Sequence, residues 1–164
     1  MKVIKAKTAG FCFGVKRAVD TVYKQVDTKC GQIYTYGPII HNEEVIKDMR
    51  DKGVIVLRSE EDLDMISQGT VIIRSHGVEK RIYEKIEQKG LRIVDATCPF
   101  VKKIHNIVSE KSGEGFHIII IGNPEHPEVV GIKGWAKDNV TVIQSAEDAE
   151  CFTADRKEKI CIVS

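Results

Sequence analysis

Short runs of β-branched and other apolar residues recur along the chain at 3–4, 32–36, 54–57, 70–74, 92–94, 117–121, 140–143 and 159–163. Each has the composition of a strand. Between them the apolar residues switch to spacings of three and four, as in Val15, Ala18, Val19, Val22 and Val26, in Val45, Ile46 and Met49, and in Val101, Ile104, Ile107 and Val108. That spacing lines one face of an amphipathic helix. Strands alternating with helices of about 10–14 residues predict an α/β fold, with parallel sheets flanked by helices and right-handed crossovers. The continuous runs HIIII and TVIIR suit strands buried on both faces, which argues against a helical bundle, and the helical stripes argue against a β sandwich.

A strand, a turn carrying Gly, His or Cys, and a helix recur several times, which predicts two related α/β units at 1–95 and 96–164. SGEG at 112–115 reads as a helix-ending loop. The final KICIVS has the apolar character of a central buried strand that a covering helix should follow, so the chain reads as the amino-terminal part of a longer protein.

Composition adds mainly exclusions. Hydrophobic residues at 42% with 30% charged describe neither a disordered chain nor a membrane protein. A net charge of +1 over 164 residues gives no global basic field for nucleic acid. No run approaches the roughly 18 apolar residues of a spanning helix, and the first residues lack a signal-peptide pattern, so the expectation is a cytoplasmic protein with no membrane partner. The five cysteines are irregularly spaced and odd in number, which suits metal or redox chemistry better than a disulfide framework.

Two of those cysteines sit at strand-to-helix or loop-to-helix turns. Cys12 lies between Gly10 and Gly14 just ahead of a predicted helix start, where positive potential and free N–H groups suit a sulfur ligand or nucleophile. Cys98 occupies a second such junction in DATCPF, with Pro99 in the first helical turn. In an open parallel sheet these junctions share the carboxyl edge of the strands, so the two sulfurs are expected to converge. The competing reading makes each a small packed thiol. Cys161 reads as a buried strand residue, Cys151 as a loop thiol and Cys30 as a helix-end thiol.

His41, His76 and His126 each follow a predicted strand at an equivalent turn, whereas His105 inside a helix and His117 at a strand start read as structural. Three imidazoles beside helix starts can bind a metal or donate to an anion, with phosphate favoured. Glu128, two residues past His126, either supports the first turn of a helix or relays protons to a bound substrate. The chain has neither GxxxxGK[ST] nor GxGxxG, which disfavours nucleotide binding by those routes. Zinc lacks a closely spaced CxxC or HExxH pair, and a Cys-x5-Arg phosphatase loop is absent, since four residues separate Cys12 from Arg17. An iron–sulfur cluster fits separated, loop-borne cysteines best. A metal-free diphosphate-binding module with structural cysteines is the alternative.

Together, AGFCFGVKRAV, GPIIHNEEV, RSHGV, DATCPFV and HPEVVGI resemble the amino-terminal part of the 4-hydroxy-3-methylbut-2-enyl diphosphate reductase family, over essentially the whole chain. The resemblance implies three similar α/β units around a central 4Fe-4S cluster, of which this chain holds the first two, the second incomplete. It implies that Cys12 and Cys98 are two of three cluster cysteines, that His41, His76 and His126 line the diphosphate site, and that Glu128 delivers protons. It further implies reductive removal of an allylic hydroxyl as water, with ferredoxin or flavodoxin as electron donor. The third cysteine is expected beyond Ser164.

Overall fold

Seven of the eight apolar runs form strands, and every strand pair is parallel. The computed structural model describes residues 1–28, 31–155 and 157–164. Its elements run α1 (Phe13–Thr28), β1 (Ile33–Tyr36), α2 (Glu43–Asp51), β2 (Ile55–Leu57), α3 (Glu60–Asp64), β3 (Thr70–Ile73), α4 (Lys80–Gln88), β4 (Arg92–Asp95), α5 (Pro99–Gly113), β5 (His117–Ile121), α6 (Pro127–Lys133), β6 (Val140–Ile143), α7 (Ala146–Cys151) and β7 (Ile160–Val163). The predicted α/β class, with parallel sheets flanked by helices, is what they build.

The strands form two sheets, ordered β2-β1-β3-β4 and β6-β5-β7. In the first, α1 and α2 pack on the face that carries Ile33 and Ile72, and α3 and α4 on the face that carries Val71 and Ile73. Every residue of β3 is therefore buried, as its continuous apolar sequence requires. In the second, α5 and α6 cover Ile118 and Ile120 through Val108, Val129 and Ile132. No helix is long and apolar enough among the described residues to cross a membrane.

The two sheets meet where α6 docks on the turn between β3 and α4. Trp135, just past α6, donates its indole N–H to the Val78 carbonyl at 2.9 Å. Gly131 faces the backbone of His76 and Gly77, and a side chain at Gly134 would collide with Glu79. Small residues on the helix thus allow the close approach.

One strand expectation fails. The run at 3–4 forms no strand: Val3 and Ile4 are each 79% exposed, and two residues without a neighbouring strand cannot nucleate a ladder. KICIVS forms β7, which pairs with β5 on one side among the described residues, and Ile160 and Ile162 on its alternate face are 36% and 63% exposed. Cys161 is half-buried against the α5–α6 face, and Cys151 ends α7 instead of lying in a loop. Cys30 lies outside the described residues.

The contrast between central and edge strands is measurable. Ile72→Ala, at a fully buried site, should cost roughly 2–5 kcal/mol in urea unfolding. Ile162→Ala should stay within about 0.5 kcal/mol. Equal losses would contradict this layering.

Candidate functional site

In a parallel sheet the turns leaving neighbouring strands separate where the chain reverses its direction across the sheet, and the crevice left there is open to ligands. The chain goes from β1 to β2 on one side, and β3 lies on the other. The turns after β1 and β3 carry His41 and His76. In the second sheet β5 stands between β6 and β7, and the turn after β5 carries His126.

The three imidazoles meet. The rings of His41 and His76 lie 4.8 Å apart between centroids, and those of His76 and His126 lie 6.0 Å apart nearly edge-on. Burial, reinforced by His41, Arg74 and His126, pushes the His76 pKa down to about 4, so at neutral pH its ring is uncharged. His126 caps α6, and its Nδ1 accepts the Glu128 backbone N–H at 3.3 Å. That bond assigns the neutral proton to Nε2, leaving an N–H donor free. The half-buried Glu128 carboxylate makes no hydrogen bond or ion pair among the described residues.

The buried Ser75 ties these turns together. Its N–H and Oγ both donate to the Ile39 carbonyl, at 3.4 and 3.1 Å, and its own carbonyl accepts the Cys98 N–H at 2.9 Å. Asn42 caps α2 by accepting the Val45 N–H, fixing the turn beyond His41. One serine therefore links the turns of His41, His76 and Cys98.

The cysteines occupy matching positions. Cys12 immediately precedes α1 and Cys98 caps α5, and their carbonyls accept the N–H of Lys16 and Lys102, each at 2.9 Å. An added Cβ at Gly14 would sit 2.6 Å from the Cys98 sulfur, so that sulfur packs on the first turn of α1, two residues from Cys12. Arg17 fastens the two helix starts by donating to the carbonyls of Thr97 at 2.8 Å and Asp95 at 3.4 Å. Both thiols are free of disulfides, and exposed Phe11, Phe13 and Phe100 flank them in sequence. This arrangement offers two soft ligands beside an imidazole wall suited to an anion.

A family model described as LytB protein matches residues 3–164. The chain belongs to the LytB protein family. Among its relatives, the 4-hydroxy-3-methylbut-2-enyl diphosphate reductase of Caldanaerobacter subterraneus subsp. tengcongensis is 47% identical over 165 residues, spanning 100% of this chain and 57% of the relative. The solved reductase of Plasmodium falciparum superposes with a TM-score of 0.89 at 31% identity, over 96% of this chain and 49% of that one. A second solved structure, described as the terminal enzyme of the non-mevalonate pathway, gives 0.75 at 39% identity over 89% of this chain and 52% of that one. This LytB chain thus spans about 57% of the length of the curated relative.

Sequence reasoning missed Ser75 and Arg17, which supply no chemistry of their own and act through contacts distant in sequence. Arg17 lies on a polar helix position with no local signal. Ser75 sits beside His76 in RSHG, where a small polar residue in a motif was the available hint.

Gly14→Ala tests the adjacency of the two helix starts. The new methyl should displace the Cys98 sulfur, cost about 1–3 kcal/mol, and speed alkylation of Cys98 as followed by peptide mass mapping. Unchanged stability and alkylation would contradict the contact.

Proposed function

We propose that the chain is the cluster- and diphosphate-binding part of an iron–sulfur reductase that converts 4-hydroxy-3-methylbut-2-enyl diphosphate to isopentenyl and dimethylallyl diphosphates in the cytoplasm. The wall of His41, His76 and His126 carries this reading. Family membership supports it, as do the relatives named for that reaction. Segments 1–95 and 96–164 are then the first two of three similar units, a division supported by the separate sheets β1–β4 and β5–β7.

In this reading the three imidazoles hold the diphosphate, with His126 donating from Nε2. Cys12 and Cys98 hold the cluster by two thiolates. They suit it because both cap helices, both are free, and Gly14 leaves the Cys98 sulfur without a covering side chain. A bound 4Fe-4S cluster supplies electrons one at a time, received from ferredoxin or flavodoxin. The overall change takes up two electrons and two protons: the allylic C–O bond breaks, oxygen leaves as water, and carbon gains one hydrogen. Glu128, without a competing partner, hands a proton toward the departing hydroxyl.

The alternative is a metal-free diphosphate-binding module in which the three histidines hold the anion and the cysteines only pack. The two readings separate cleanly. Anaerobic reconstitution of a form extended to the relatives' full length should give a thiolate-to-iron absorption band and substrate-dependent electron uptake, and Cys12→Ser or Cys98→Ser should abolish both. Retention of both signals in the two variants would overturn the cluster assignment.

Anion binding has its own pH signature. A diphosphate beside His76 favours the protonated ring, opposing the burial and like charges that hold its pKa at about 4. Pyrophosphate binding should therefore take up protons and tighten as pH falls from neutrality toward that value, measured by calorimetry in buffers of different ionisation enthalpy. Proton release, or unchanged binding in the His41, His76 and His126 triple alanine variant, would contradict the diphosphate role.

A further inference from the structure

The turn that carries His76 is held from beneath by an aromatic stack outside all five motifs. His105 is 1% exposed on α5, and its ring lies nearly parallel to that of Trp135, 5.2 Å away at 18°. Tyr83 on α4 meets the other ring of the pair edge-on, 5.7 Å from Trp135, while its hydroxyl hydrogen-bonds Thr97 at 3.2 Å. Above the stack sits Gly77, whose φ of +73° and lack of a side chain are both needed: a Cβ there would collide with the His105 ring. Trp135 also holds the next carbonyl of the turn, that of Val78, through its indole N–H.

Each member of the stack belongs to an element that begins at a turn described above. His105 lies on the helix that Cys98 caps, Trp135 just past the helix that His126 caps, and Tyr83 on the helix that follows His76. We propose that His105 and Trp135 are positioning residues, a shared seat that sets the His76 ring against those of His41 and His126. This inference rests on the reading of the three histidines as an anion site.

The chemistry of His105 fits a seat better than a reacting group. Its Nε2 is buried with no hydrogen-bond partner, and burial lowers its pKa to about 4, so the ring is an uncharged flat surface at neutral pH. The acidic groups nearest its cavity, Asp95, Glu84 and Glu87, face it from β4 and α4, with Lys80 and Lys102 alongside. None of them hydrogen-bonds the ring. A supporting residue of this kind acts by limiting where the turn can go.

The test uses the 164-residue chain and inorganic pyrophosphate, with His→15N labelling so that each imidazole is followed by NMR. His105→Ala should weaken pyrophosphate binding roughly tenfold, the scale typical of residues that orient a ligating side chain, and should shift the His76 resonances and raise its pKa toward the ordinary value. Trp135→Phe keeps a ring in the stack but loses the bond to Val78. It should give a smaller change in the same direction, and it serves as the informative variant if His105→Ala fails to fold. Folded variants with unaltered His76 resonances and unaltered binding would overturn the proposal. His76→Ala tells the two ideas apart: if it leaves binding intact, the histidine reading fails, whereas if it abolishes binding while the stack variants have no effect, only the seat fails.

Discussion

Ser75 is the constraint on which the candidate site depends. A buried serine with its N–H and hydroxyl on one carbonyl and its own carbonyl on the Cys98 N–H satisfies four backbone groups that would otherwise be stranded at the sheet edge. The consequence is positional. The turn of His41, the turn of His76 and the start of α5 cannot move independently, because each shares a hydrogen bond with the same residue. Arg17 extends this network to α1 by its bonds to Thr97 and Asp95, bringing the Cys12 end of the chain alongside.

The parallel sheets supply the rest. Right at their carboxyl edges, helix starts and turns collect on one side, and the two sheets are joined by α6 docking on the β3–α4 turn. His126 therefore reaches His76 as a result of how one helix packs, with Gly131 and Gly134 permitting the approach. The division of chemistry follows from that layout: the strand-end turns present imidazoles, and the starts of α1 and α5 present sulfurs. Burial, reinforced by its neighbours, keeps the His76 ring uncharged at neutral pH.

Much of this was legible in the sequence, for specific reasons. Continuous apolar runs such as TVII and HIII marked strands because a strand covered on both faces has no polar alternation to hide. The turn residues His41, His76, His126, Cys12 and Cys98 stood out because they occupy equivalent places relative to those strands and helices. Local pattern fails where burial is decided by neighbours. The apolar residues at 3–4 have no pairing strand among the described residues. The short α3 and α7 bury little, with Leu63 the sole buried residue of the former and none in the latter, so periodicity could not reveal them. Their serine caps, Ser59 and Ser145, each followed three residues later by aspartate, were the readable signal. The helical position of His105 carries no local sign of function, and its packing beneath the His76 turn depends on α6 arriving from a distant part of the chain.

The central claim is that two helix starts far apart in the chain present their sulfurs to one place. The direct measurement is bridging by dibromobimane, a reagent that fluoresces when it links two nearby thiols, on the chain with Cys30, Cys151 and Cys161 replaced by serine. A single fluorescent adduct joining the Cys12 and Cys98 peptides is the result this structure predicts. Separate, non-fluorescent additions at the two cysteines in the folded chain would contradict it.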